Sequence, residues 1–145
     1  MAVWIPASPV DQAPAAALTA GTPWSVRRAR GPGARPALEV WENGDLADVI
    51  VATPVRSQLL RGARRTGRGG RALSIAWGRV PADGHPPRVT FASSPLRRRA
   101  AADVIEVEGL AWLAIAAGRF TTASLACRDR RERLRLRTVR GAPLA

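Results

Sequence analysis

Lysine and tyrosine are absent from this chain of 145 residues, and cysteine and histidine occur once each, as Cys127 and His85. With a single cysteine no intramolecular disulfide can form, and nothing calls for an oxidising compartment. One histidine and no clustered cysteines leave no zinc-ligand spacing, and no loop is dense enough in Asp and Glu for calcium, so no metal or other cofactor is expected. No glycine-rich loop joins a strand to a helix in the manner of phosphate-binding loops. No apolar run approaches the ~20 residues that cross a bilayer. The opening "MAVWIPASPVDQAPAAALTAG" has no basic residue ahead of an apolar stretch. Neither membrane insertion nor a secretory signal is therefore expected, and cytoplasm is the default location.

What is abundant is arginine. All 23 basic side chains are arginine against 11 acidic ones, a formal charge of +12. An unpaired excess of that sign concentrates nucleic acid, acidic proteins or anionic lipid around a molecule. The Ala, Gly, Pro and Arg content matches GC-rich coding, which by itself supplies arginine wherever any base serves, so the preference over lysine is not evidence of bidentate phosphate contacts. Apolar residues make up 46% and charged residues 23%, the balance of an ordinary folded domain. The length fits one domain, burying roughly 70% of the surface of its unfolded chain.

Residues 1–22, rich in Ala and Pro, read as an arm; residues 23–140 read as a single β domain and 141–145 as a tail. Period-2 apolar spacing predicts strands at 23–30, 37–42, 48–53, 71–80, 88–92, 103–109, 110–117, 121–128 and 133–139. Their separators hold Gly, Pro, Asn or Asp where turns need special backbone angles. Asn43 and Gly44 form the commonest hairpin dipeptide. The expected fold is all-β, an antiparallel sandwich or partly closed barrel of about eight or nine short strands. One exception is "PVRSQLLRGARR", 54–65, where Val55, Leu59 and Leu60 fall at helical spacing and predict a short surface helix.

The last two predicted strands should form a hairpin around Asp129 to Glu132. If Arg128 faces Arg133, Cys127 and Leu125 oppose Leu134 and Leu136 on an inner face, while Ala126 and Ser124 oppose Arg135 and Arg137 outside. Arginines at alternate positions of a strand stand about 6.7 Å apart and repel by about 0.6 kcal/mol in water, so such a stripe persists without a ligand. A solvated face is its ordinary explanation.

Candidate polyanion-binding residues are Arg133, Arg135 and Arg137 on that stripe, Arg61, Arg64, Arg65 and Arg68 around "RRTGRGGR", and Arg97, Arg98 and Arg99, with a further basic group at Arg27, Arg28 and Arg30. Of the tryptophans, Trp24, Trp77 and Trp112 fall on apolar strand faces and belong to the core, and Trp41, out of phase with Leu38 and Val40, is the candidate exposed platform. No catalytic residue is assigned. His85 sits in a "DGHPP" turn with no partner at a telling spacing, Cys127 is expected on the apolar face, and Glu106 and Glu108 serve more simply as ion-pair partners for arginine than as an acid and base pair.

"WGRVPADGHPPRVTF" and "VIEVEGLAWLAIAAGRFTTASL", within residues 71–139, resemble small uncharacterised β-sandwich domains of high-GC bacteria. The resemblance implies a sandwich with a closing hairpin and brings no assigned activity. The sequence therefore reads as a non-catalytic binding or structural module whose partner is an unknown protein or a second copy of itself. The alternative is sequence-nonspecific nucleic-acid binding through the arginine clusters, provided that they share a face. A third reading, a small enzyme, requires His85, Cys127 or Glu108 within reach of one another.

Overall fold

The computed structural model describes residues 4–5, 13–52, 58–67, 70–85, 87–93 and 98–139. It is mostly strand, as the alternation predicts, and the described residues form no closed barrel. The strands form three sheets. A central sheet has the order β1 (Trp4–Ile5), β9 (Val104–Val107), β10 (Ala111–Ala117), β6 (Leu73–Arg79), β5 (Leu60–Arg65), β13 (Arg137–Thr138). A second has the order β12 (Arg130–Arg135), β11 (Thr122–Cys127), β7 (Arg88–Ser93), β8 (Arg98–Ala102). The third is the meander β2 (Trp24–Arg30), β3 (Pro36–Glu42), β4 (Asp45–Val51).

Both faces of the central sheet are covered. Trp112, Ala114 and Ala76 pack toward Val89, Phe91, Ala123, Leu125 and Cys127 of the second sheet. Trp77, Ile75 and Leu113 pack toward Trp24, Leu38, Val40 and Ile50 of the third. Central strands buried on both sides read as continuous apolar runs, which is why "LSIAW" and "AWLAIAA" lack polar alternation. The fold is thus a sandwich with an additional layer.

The three core tryptophans sit as expected and each indole N–H finds an acceptor: Trp24 on Glu42, Trp77 on Asp48 and Trp112 on the Leu59 carbonyl. Two of them lie over glycine. A Cβ at Gly62 would stand 2.2 Å from the Trp77 ring, and one at Gly78 would stand 1.6 Å from the Leu59 oxygen and 2.7 Å from the Trp112 ring.

The helix expected over 54–65 is corrected in its second half. Leu60–Arg65 is strand β5, antiparallel to β6, with a bulge between Leu60 and Gly62. The glycine that weakens a helix is the residue over which Trp77 lies, and β6 needs a neighbour for its backbone groups, so tertiary demand overrides the helical spacing. Residues 54–57 lie outside the described residues. Within the first 22 residues, read as an arm, Trp4–Ile5 pairs in parallel with β9, and Ala13–Thr19 is a helix, α1, whose Ala15 joins the apolar core. The strand β8 escaped the alternation reading because its Arg–Arg–Ala–Ala–Ala sequence carries little apolar contrast.

The third sheet is tied to the central one by Asp48. Its carboxylate accepts two bonds from Arg61, each of 2.8 Å, and one of 3.0 Å from the Trp77 indole. Burial alone raises its pKa, but the Arg61 and Trp77 hydrogen bonds and the Arg61 charge outweigh that and hold it below the ordinary carboxylate value. A depressed folded pKa contributes stability at neutral pH that is lost as pH falls through the lowered value. Asp48→Asn should cost about 2 kcal/mol at pH 7, the scale of charge-assisted hydrogen bonds. Urea midpoints followed from pH 7 toward about 3 should decline more steeply for the native chain than for this variant.

Candidate arginine-walled face

The closing hairpin forms with a slipped register. Ser124, expected opposite Arg137, lies opposite Arg133, four residues away, because the connection is a two-residue turn at Arg128 and Asp129 rather than a longer loop. Arg128 takes φ +53°, a left-handed backbone that usually goes to Gly or Asn. Its guanidinium is anchored on Asp83 at 3.0 Å and on the His85 ring at 3.1 Å, so the turn is fixed by tertiary contact where the sequence shows no turn dipeptide. Since four is an even number, no side chain changes face. Cys127 and Leu125 stay buried, and Arg133 and Arg135 stay outside.

The paired register lays out the outer face of the second sheet in three rows. Arg135, Thr122, Ala92 and Arg99 form one; Arg133, Ser124, Thr90 and Ala101 the next; Arg131, Ala126 and Arg88 the third. Small and hydroxyl side chains make the floor on β11 and β7, and arginines rise at β12, at β8 and at the end of β7. The space between them is a trough of about 600 Å³ bordered by Arg88, Arg99, Arg131 and Arg133. Its rows contain no aromatic ring, and the one carboxylate that borders the trough among the described residues is that of Glu132, at the intervening position of β12. Arg88, Arg99, Arg131, Arg133 and Arg135 are exposed, and their guanidinium groups form no ion pair or hydrogen bond among the described residues.

Four carboxylates that might have neutralised them are engaged elsewhere. Asp48 holds Arg61, Glu42 lies 3.7 Å from Arg64, Glu108 holds Arg28 and Asp83 holds Arg128. Glu132 alternates with the exposed arginines on β12 but faces inward. It accepts the backbone N–H groups of Leu59 at 3.1 Å and Leu60 at 3.0 Å, and the Arg130 guanidinium at 2.9 Å.

Of the residues singled out in the sequence, Arg99, Arg133 and Arg135 come together on this face, joined by Arg88 and Arg131, which the cluster reading passed over. Arg88 is isolated in sequence and is brought in only by strand pairing. Arg137 is corrected: beyond Leu136 the chain leaves the second sheet and pairs in parallel with Arg64, so Arg137 lies on the central sheet. Arg98, opposite Ser93, has the other parity and lies 5.8 Å from the Phe120 ring. Arg61, Arg64 and Arg65 hold the scaffold: Arg61 on Asp48, Arg64 over the Trp77 ring at 5.3 Å, Arg65 on Thr138 and the Phe120 carbonyl. Arg68 and Arg97 lie outside the described residues. Trp41 is not an open platform. It is half-buried, its N–H donates to Glu39, and the Arg27 guanidinium covers its ring at 4.7 Å.

The residues considered for catalysis divide. Cys127 does lie near His85, yet its sulfur contacts the main-chain carbonyl at 3.6 Å while the ring faces Arg128. Burial, helped by the nearby Asp83 charge, pushes the thiol pKa up, the opposite of what an attacking thiolate needs. Glu108 is paired with Arg28, and burial raises the pKa of Glu106. No group of three or more His, Cys, Asp or Glu able to hold a metal occurs among the described residues, and no described helix is long and apolar enough to cross a membrane.

Alternate residues of β12 should therefore respond in opposite ways to truncation. Arg131→Ala, Arg133→Ala and Arg135→Ala should each change unfolding free energy by less than about 0.5 kcal/mol, as exposed positions do. Glu132→Ala, which strips two backbone N–H groups of a charged acceptor, should cost about 2 to 3 kcal/mol. Denaturant unfolding of the four variants checks the contrast. No protein family, curated protein or solved structure matches the chain.

Proposed function

We propose that this chain is a non-catalytic binding module whose outer face on β12, β11, β7 and β8 holds nucleic acid by its phosphates, without reading sequence. The observation that carries the proposal is the set of five arginines without a side-chain partner among the described residues, around a hydroxyl-bearing floor whose one bordering carboxylate, Glu132, is already taken by Leu59, Leu60 and Arg130. Guanidinium groups match phosphate oxygens in a bidentate manner, and phosphate contacts position a ligand without discriminating bases. A floor of Thr, Ser and Ala offers no ring for base stacking, which also favours backbone recognition.

Among the described residues self-association draws on one exposed large apolar side chain, Leu46, 49% exposed and opposite Trp41 on β3. Two side chains fall well short of the ~1,000 Å² that a specific protein interface buries. Nucleic-acid binding is the better supported reading.

Fluorescence anisotropy with a labelled oligonucleotide tests it. Five phosphate contacts to a single strand predict a slope of log K against log salt of about −3.5. The combined variant Arg131→Ala, Arg133→Ala, Arg135→Ala should flatten that slope by about 2. Absence of binding at about 50 mM salt, or binding that the combined variant leaves unchanged, removes the proposal.

A further inference from the structure

Resting on that reading of the same face, we infer that the trough takes an unstacked single strand in preference to a duplex. The first support is spacing. Arg131, Arg133 and Arg135 follow one another at about 6.7 Å along β12. A stacked strand advances only about 3.4 Å per nucleotide. An extended, unstacked strand lengthens that step toward the arginine repeat and presents one phosphate to each row. A base-paired helix cannot stretch in this way without losing its stacking.

The second support is the placement of the walls. Arg135 and Arg99 face each other across the first row, separated by three strand spacings, about 14 Å. Arg131 and Arg88 stand two spacings apart in the last row, about 10 Å, and Arg133 stands alone between these gates. A chain lying on the floor enters between the first pair, passes Arg133 and leaves between the second, held from both sides. A duplex is convex and stiff and rests on the rims, reaching one wall at a time.

The third support is the floor itself. The hydroxyls of Ser124 and Thr90 oppose each other in the middle row and have no hydrogen-bond partner among the described residues. They are donors and acceptors for sugar or base edges splayed out of a stack. With no aromatic ring to replace the lost stacking, the strand that pays least for unstacking binds best, which favours pyrimidine runs over purine runs.

The test uses the full chain and three probes at one salt concentration: a 12-nucleotide thymidylate strand, a 12-nucleotide deoxyadenylate strand and a 12-base-pair duplex. The duplex carries about twice the phosphates of either strand, so a charge-only site favours it. The expected result is at least fivefold tighter binding of the thymidylate strand than of either other probe, with Arg99→Ala and Arg133→Ala each weakening it severalfold. Equal or tighter binding of the duplex, still weakened by the combined Arg131, Arg133 and Arg135 variant, overturns the single-strand inference and leaves the phosphate-binding reading standing. Failure of all three probes to bind, or binding indifferent to the arginine variants, removes both.

Discussion

The middle of a sheet buried on both faces admits a charged side chain only where a partner meets it, and the placement of arginine in this molecule follows from that constraint. The central strands β6 and β10 face apolar layers on either side, so a chain with 23 arginines must put them on the outer faces and edges of the layers. Where an arginine does approach the seams it is used structurally, as Arg61 is on Asp48. Arg119 likewise donates to the carbonyls of Thr66, Gly67 and Gly70, drawing on the several donors of one planar group.

Several of the carboxylates are engaged at those seams and turns. Glu132 illustrates the division: it sits on the most arginine-rich strand, yet it turns inward to satisfy the backbone at Leu59 and Leu60. The same Leu59 carbonyl accepts from Trp112 and from the Arg79 backbone, so the start of β5 is a junction between the central sheet and the hairpin. The outer face of the second sheet is left with positive charge and no internal partner. Repulsion among these exposed groups is small in water, and the fold tolerates the excess that a polyanion is able to use.

Much of this was legible because strand periodicity is local. The alternation of Leu125 and Cys127 with Ser124 and Ala126, and of Leu134 with Arg133 and Arg135, assigned faces correctly even though the register was off by four residues, since an even slip preserves them. The slip itself was not legible, because the turn depends on Arg128 meeting Asp83, a contact distant in sequence. The strand β5 was hidden by a helical spacing of leucines that the need of β6 for a partner overrides. The candidate face was half legible. Its β12 stripe is plain in the sequence, but Arg88 and Arg99 join it only through the pairing of β11 with β7 and of β7 with β8. Clusters in sequence were a poor guide, since Arg98 and Arg99 are neighbours and point to opposite faces.

The most direct measurement is an NMR titration that follows backbone amides and arginine Nε–H groups as a thymidylate strand is added. Shifts concentrated at Thr90, Arg99, Thr122, Ser124, Arg131, Arg133 and Arg135, with the third sheet unaffected, are what the account predicts. Shifts centred instead on Arg27, Arg28 and Arg30 of β2, or spread evenly over every exposed arginine, would contradict it.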